Sequence, residues 1–400
     1  MQTRLPEALA LTSAGQEADE ILRRCVHCGF CNATCPTFRL TGNELEGPRG
    51  RIYLVKGVLE GETPTRRTVG HLDRCLGCRA CETTCPSGVN YHRLADIGRE
   101  ALADRNLRPW WDRWRRKLAA RFFDGSLMLR VFVAAGRSVR WLMPPALARQ
   151  LPRLGRARWP DSNPETGDQV LLHEGCVQPV LAPTINAAAA RVLARRGIGS
   201  QPAAGCCGAL AYHLDDIERA KRQIRRNIDA WWPGLEKSRG MVVTASGCAA
   251  FLKDYGHLCR DDPAYAERAQ EVTARVSDVS EFLEPLPRPA GTGKPKFALH
   301  IPCTLKNALG GESRLRQLLV DSGWQIVPIA DDGQCCGSAG AYSLLHRHTA
   351  GQLRDARLDV LESNGSECIL TANIGCLSHL AGGTEKPVRH WIEAWDEAES

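Results

Sequence analysis

Sixteen of the eighteen cysteines in this 400-residue chain are grouped at short, repeated spacings, a pattern that suits metal ligation in a reducing compartment better than a disulfide scaffold. Cys25-x2-Cys28-x2-Cys31-x3-Cys35-Pro36 is followed by Cys75-x2-Cys78-x2-Cys81-x3-Cys85-Pro86. Three cysteines two residues apart let one tight loop wrap an iron–sulfur cube from three corners. The fourth points away, and in two-cluster ferredoxins it ligates the other cube. The spacing therefore predicts two [4Fe–4S] clusters, one on Cys25, Cys28, Cys31 and Cys85 and the other on Cys75, Cys78, Cys81 and Cys35. Crossed ligation of this kind keeps two clusters close, as electron relay requires. Zinc ribbons use two separated C-x2-C hooks rather than a triple hook closed by Cys-Pro. Val26, Phe30, Leu76 and Ala80 are expected to keep water from the sulfurs.

A second set of eight cysteines lies in an internal repeat. Val170-Leu171-Leu172-His173-Glu174-Gly175-Cys176 matches Phe297-Ala298-Leu299-His300-Ile301-Pro302-Cys303. Gly205-Cys206-Cys207-Gly208 matches Gln334-Cys335-Cys336-Gly337, and the apolar runs ending in Cys248 and Cys376 complete each copy. These eight cysteines suit a further metal site, read as a third iron–sulfur cluster, with Gly208 and Gly337 letting backbone approach a bulky cofactor. They equally suit packing or a zinc site, and the residues leave both open. His379, three residues after Cys376, is a further candidate nitrogen ligand. Cys259 and Cys368 read as structural thiols.

Positioning these cysteines requires particular elements. Apolar runs ending in cysteine read as strands, and the Ala, Arg, Leu and Glu-rich stretches between them, such as 186–196 and 215–232, read as helices. Their alternation predicts parallel sheets with Cys176, Cys248, Cys303 and Cys376 at strand carboxyl ends. The fold class expected is α+β and multidomain. A mainly helical ferredoxin-type domain at 1–104 precedes a basic connector at 105–165, and a pseudo-twofold pair of α/β repeats at 166–290 and 291–400 follows. A turn-rich linker is expected from Trp159 to Pro164.

The connector from Arg105 to Trp159 holds fourteen Lys or Arg against Asp112 and Asp124, and five of the ten tryptophans, in a chain of net charge +7. Trp110, Trp114 and Leu118 share one helical face. Arginine mixed with tryptophan suits an anionic membrane surface and equally an acidic partner subunit. No nucleic-acid motif accompanies the charge, so no nucleic-acid partner is expected. No secretory signal and no apolar run long enough to span a bilayer are visible, which predicts a cytoplasmic protein, peripheral on the inner face of the membrane if the connector binds lipid.

Nearly the whole chain resembles the iron–sulfur subunits of bacterial glycolate oxidase, within a wider group that joins a ferredoxin domain to two Cys-Cys-Gly domains. The stretches that carry the resemblance are 24–31, 47–53, 82–89, 227–233 and 371–376. It implies an electron carrier within a glycolate dehydrogenase complex. FAD-binding partner subunits would oxidise glycolate to glyoxylate, and this chain would pass electrons toward the respiratory chain and its quinone pool. The chain has no complete G-x-G-x-x-G, the nearest being Gly291-Thr292-Gly293-Lys294, and no P-loop, which agrees with flavin on partner chains alone. The cysteine framework also fits iron–sulfur subunits of glycerol-3-phosphate or lactate dehydrogenases, and heterodisulfide reductases. The last group ends its repeats in C-x2-C, where this chain has Phe251 and His379. That departure argues against a thiol–disulfide reductase.

Overall fold

A computed structural model describes residues 1–103, 105–124, 127–150, 155, 157–160, 168–285, 295–330 and 334–400. Most of the expected linker, from residue 161, and the Gly291–Lys294 stretch lie outside these residues. Two units emerge, one of Met1–Lys117 with Gly333–Leu353 and one of Leu118–Asp332 with Arg354–Ser400.

The first unit is helical for reasons visible locally. Thr12 caps the helix Ser13–Arg24 by accepting the Gly15 N–H at 3.0 Å, and Gly15, Ala18, Ile21 and Leu22 fall on its buried stripe. Arg23 and Arg24 occupy its last turn, where the helix dipole favours cations. Pro48 opens the helix Pro48–Leu59, and a Thr65–Thr68 capping box opens Arg66–Asp73. With the helix Tyr91–Ala103 they enclose a core of Leu22, Ile52, Val55, Leu72 and Leu94. Each such side chain contributes about 1.5–3 kcal/mol by leaving water.

The second unit is built on two four-stranded parallel sheets. Strands β1 (Gln169–Gly175), β2 (Gly199–Ala204), β3 (Met241–Val243) and β4 (Val276–Asp278) run in the order β2-β1-β3-β4. Strands β5 (Lys296–His300), β6 (Gln325–Ile326), β7 (Cys368–Thr371) and β8 (Val388–His390) repeat it as β6-β5-β7-β8. Central β1 is buried on both sides, with Val170 and Leu172 in one core and Leu171 in another, which is why its run is continuously apolar. Val170, Leu172 and Val242 share a single core with Leu299 and Leu370 of the second sheet.

The two copies are joined by polar as well as apolar contacts. The alanine-rich helix Thr184–Ala194 packs on the C-terminal helix Trp391–Glu399, and Asp396 accepts from Arg191 at 3.0 Å and from Arg195 at 2.8 Å. His390 donates from Nε2 to the Thr244 carbonyl at 2.9 Å, and the Ser246 and Thr304 hydroxyls meet at 2.8 Å.

The basic stretch forms the helices Trp110–Phe122, Leu127–Ser138 and Pro145–Gln150. Among the described residues no helix is long and apolar enough to cross a membrane.

Candidate metal centres

Each N-terminal cysteine hook is shaped by backbone in the left-handed region. In the first hook His27 and Gly29 have φ of 61° and 87°, and in the second Gly77 and Arg79 have φ of 63° and 57°. The same two positions turn the same way although glycine occupies only one of them in each hook. Non-glycine residues there cost about 1–3 kcal/mol, a strain retained because it curls three sulfurs around one point. Gly29 and Arg79 then cap the short helices Phe30–Ala33 and Ala80–Thr83, which carry Cys31 and Cys81.

Cys85, the fourth cysteine of the second hook, lies beside the first three cysteines of the first hook. Cys25, Cys28, Cys31 and Cys85 line one opening of about 420 Å³, part of it open to solvent, bordered also by Cys81 of the second hook and by Ile52, Val89 and Tyr91. Burial raises the Cys31 thiol to about 11, and the neighbouring Cys25 and Cys85 push it the same way. In the other group, burial holds Cys81 well above its ordinary range, and Cys78, Cys75 and Cys35 add to the shift. Thiols that resist ionisation because other sulfurs crowd them suit a cationic core, which binds them as thiolates. Val26 borders this opening but is 69% exposed, and Phe30 is 61% exposed, beside an exposed Cys28, so the two cover the sulfurs less than expected. The apolar wall comes instead from the helices that follow.

The second thiol group is deeper and carries a buried cation. Arg51 donates to Glu46 at 3.0 Å, to the Thr37 hydroxyl at 3.2 Å and to the His71 carbonyl at 2.8 Å, and it is 1% exposed. Thr37 in turn lies 3.3 Å from the Cys35 sulfur. Burial would raise the Cys75 thiol, but the Arg51 and Arg99 charges and the Gly77 N–H, 3.5 Å from its sulfur, carry it below its ordinary value. Arg51, Thr37 and Glu46 escaped sequence reasoning, since nothing in their spacing marks them as neighbours of a sulfur.

In the first repeat the cysteines converge as the strand ends require. Cys176 follows β1, Cys206 and Cys207 follow β2, and Cys248 lies in the first turn of the helix Ser246–Leu252 after β3. Cys206 hydrogen bonds with Cys176 and Cys207, and Cys207 with Cys248. Hydrogen bonds from its neighbours hold Cys206 well below the usual thiol range. The hydrogen bond shared with Cys207 brings Cys248 to about 6 against its burial, with His173 beside it acting in the same direction. Four sulfurs gathered beyond the ends of neighbouring strands make a donor set that suits a soft metal.

The turn itself is clamped from the helix Ile217–Leu235. Asn227 donates to the Cys206 carbonyl at 2.7 Å, Trp231 to the Ala204 carbonyl at 2.9 Å, and Tyr255 to the Cys207 carbonyl at 2.6 Å. Gly205 and Gly208 have φ of +136° and +97°, and a Cβ on Gly205 would meet Asn227 Oδ1 at 2.5 Å. Phe251 is 4% exposed and packs on Tyr212, His213 and Tyr255.

The second repeat distributes its cysteines between the units. Cys303 follows β5 and Cys376 lies in the helix Ile374–Ala381 of the second unit, its sulfur accepting from Asn373 at 3.4 Å. Cys335 and Cys336 are buried on the segment that belongs to the first unit, where Gly337 N–H donates to Cys335 at 3.4 Å. Tyr342 of that segment is raised mainly by burial, with Arg51, Cys75, Glu46 and Cys335 close enough to act on it. His173 and His300, at the equivalent point of each first strand, were not singled out; the signal was the shared His-x2-Cys. Cys259 and Cys368 are buried, and burial lifts each thiol to about 11.

Residues 21–89 match the 4Fe-4S dicluster domain family, and residues 170–253 and 297–381 each match the Cysteine-rich domain family. The chain is 46% identical to the glycolate oxidase iron-sulfur subunit of Escherichia coli K12, over 100% of this chain and 99% of that protein. The chain belongs to the family of glycolate oxidase iron–sulfur subunits. Another member, the probable glycolate oxidase iron-sulfur subunit of Bacillus subtilis 168, is 30% identical over 91% of this chain and 89% of its own length. A lactate utilization protein A from Geobacillus thermodenitrificans is 29% identical over 55% of this chain. Within the family, the ferredoxin-type thiols and the Cys-Cys-Gly repeats are the parts that iron–sulfur binding and electron transfer call upon.

Proposed function

We propose that this chain is the electron-transferring subunit of a glycolate-oxidising complex, taking electrons from a flavin-bearing partner that converts glycolate to glyoxylate and passing them toward the respiratory chain. The reading is supported by Cys85 lining one opening with Cys25, Cys28 and Cys31, and by Cys35 lying near Cys75, Cys78 and Cys81, which would set two four-sulfur groups side by side. When bound, [4Fe–4S] clusters supply one-electron carriers. The residues then have separate tasks. Cys25, Cys28, Cys31 and Cys85 hold the cluster nearer solvent, while Cys75, Cys78, Cys81 and Cys35 hold the deeper one beside Arg51. A third iron–sulfur group on Cys176, Cys206, Cys207, Cys248, Cys303, Cys335, Cys336 and Cys376 would extend the relay.

The test is anaerobic copurification with a flavoprotein followed by addition of glycolate. The visible sulfur-to-iron absorbance is expected to bleach in the complex and to stay unchanged in this chain alone. A chain that binds no such partner, or whose chromophore ignores glycolate in the complex, would overturn the proposal.

A peripheral membrane position is favoured by the connector. The helix Trp110–Phe122 leaves Trp110, Trp111, Trp114 and Leu118 exposed, and the helix Leu127–Ser138 leaves Leu127, Met128, Val131 and Phe132 exposed. Apolar side chains at this density among arginines fit an anionic interface through which a quinone acceptor is reached.

A further inference from the structure

We propose that the strand-end histidine of each Cys-Cys-Gly repeat, His173 in the first and His300 in the second, is a nitrogen ligand of the iron–sulfur group held by the repeat cysteines. The inference rests on the reading that the repeats bind iron, and it assigns them mixed sulfur and nitrogen ligation rather than thiolates alone.

Burial is the first observation. His173 is 2% exposed and His300 is 1% exposed. Neither ring nitrogen of His173 has a well-formed hydrogen bond among the described residues, its polar contact being the Cys248 sulfur, and Nε2 of His300 has no partner. A buried polar atom left unsatisfied costs about 1–3 kcal/mol. That this cost is carried at the same position of both copies points to a use that is common to them.

Aim is the second observation. The His173 ring lies within hydrogen-bonding reach of the Cys248 sulfur. In the other copy a ring nitrogen of His300 and the sulfur of Cys376 lie within 4.8 Å of each other. Cys248 and Cys376 are equivalent in the repeat, so each histidine faces the same cysteine of its own copy. The separation is close to what one metal atom bridges, with bonds of about 2.0 Å to nitrogen and 2.3 Å to sulfur.

Orientation is the third. Metal-binding histidines commonly anchor their second ring nitrogen, and Nδ1 of His300 is held by the Thr371 hydroxyl at 2.9 Å, which leaves Nε2 as the nitrogen to bind. His173 is steadied edge-on by Trp231 at 5.3 Å, whose own N–H is committed to the Ala204 carbonyl. A neutral imidazole in place of a thiolate removes one negative charge from the metal group, which raises its reduction potential.

The test uses the full-length chain prepared anaerobically with its clusters. Iron and sulfide are counted per chain, and pulsed EPR is recorded on oxidised and reduced samples grown with ordinary or ¹⁵N-labelled histidine. More than eight irons and a strong nitrogen coupling that changes on labelling are expected. The coupling should vanish in the H173A/H300A double variant while the ferredoxin-type signals remain. Iron above eight without a histidine-dependent coupling would overturn the ligand assignment alone. Iron fixed at eight in the unaltered chain would overturn the underlying reading of the repeats, and the assignment with it. The labelling experiment needs no substitution, so a variant that fails to fold leaves the inference open to refutation.

Discussion

Arg51 sets the electrostatics of the deeper thiol group, because a buried cation stabilises the extra electron of a reduced cluster. Arg51→Gln is expected to lower the midpoint potential of one cluster by tens of millivolts. A full unit charge acting across roughly 7 Å at an effective dielectric of about 20 gives an upper limit on the order of 100 mV. Arg51→Lys should retain most of the potential. An EPR-monitored redox titration checks this, and identical potentials in both variants and the parent would refute it. Glu46 keeps Arg74 and His71 as partners at 2.6 and 2.7 Å, so removing Arg51 does not strand its carboxylate. Single serine substitutions test the crossing itself. Cys85→Ser should perturb the same EPR signal as Cys28→Ser, and Cys35→Ser the same signal as Cys78→Ser. Signals that pair each fourth cysteine with its own hook would rule out the exchange.

At the level of the element, the Cys-Cys-Gly turn depends on a helix more than on itself. Asn227 bonds the Cys206 carbonyl and also donates to the Tyr255 hydroxyl at 3.1 Å, and both contacts are buried. Asn227→Ala should therefore destabilise the second unit by about 1–3 kcal/mol, the cost of leaving a buried carbonyl without its donor. The denaturant midpoint followed by tryptophan fluorescence reads that loss, and an unchanged midpoint would show that the clamp contributes little. The stretch from Asn227 to Pro233 was recognisable only by resemblance. Its spacing predicts a helix, but which of its side chains reach another strand's carbonyls depends on where that helix docks.

For the second unit taken whole, His390 links the copies in a form that only neutral imidazole allows. Its Nε2 donates to Thr244 and its Nδ1 accepts the Ile392 N–H at 3.3 Å. Burial drives its pKa from 6.5 to about 4, against carbonyl hydrogen bonds that favour the charged form. Because the folded value lies below the unfolded one, this contribution to stability is intact above pH 6.5 and is lost as pH falls from 6.5 toward about 4. The full loss is about 3 kcal/mol at ~1.4 kcal/mol per pKa unit. His390→Gln should flatten that part of the stability profile, measured as denaturant midpoints at several pH values; an unaltered slope would contradict it. Flotation with anionic vesicles addresses the connector. Binding at low salt that weakens when Trp110, Trp114 and Phe132 are replaced by serine is expected, and no flotation at all would remove the membrane from the proposal.

The sequence by itself determined the ligand types, their grouping in two hooks and a repeat, and the α+β multidomain class, because these follow from covalent spacing and from apolar runs of fixed period. It also marked the strands that Cys176, Cys248, Cys303 and Cys376 follow, though Cys248 and Cys376 lie in the helices after those strands. Tertiary structure decided what surrounds the sulfurs. The charge acting on Cys75 comes from Arg51, twenty-four residues earlier in the chain, and the donors to Cys206 and Cys207 come from two helices further along it. Val26 and Phe30 are apolar neighbours of cysteines in sequence yet face solvent, since the left-handed turns at His27 and Gly29 point the sulfurs inward and the intervening side chains out. The grouping of Cys335 with the first unit and the burial of His173 and His300 are likewise facts of packing, set by contacts between residues far apart along the chain.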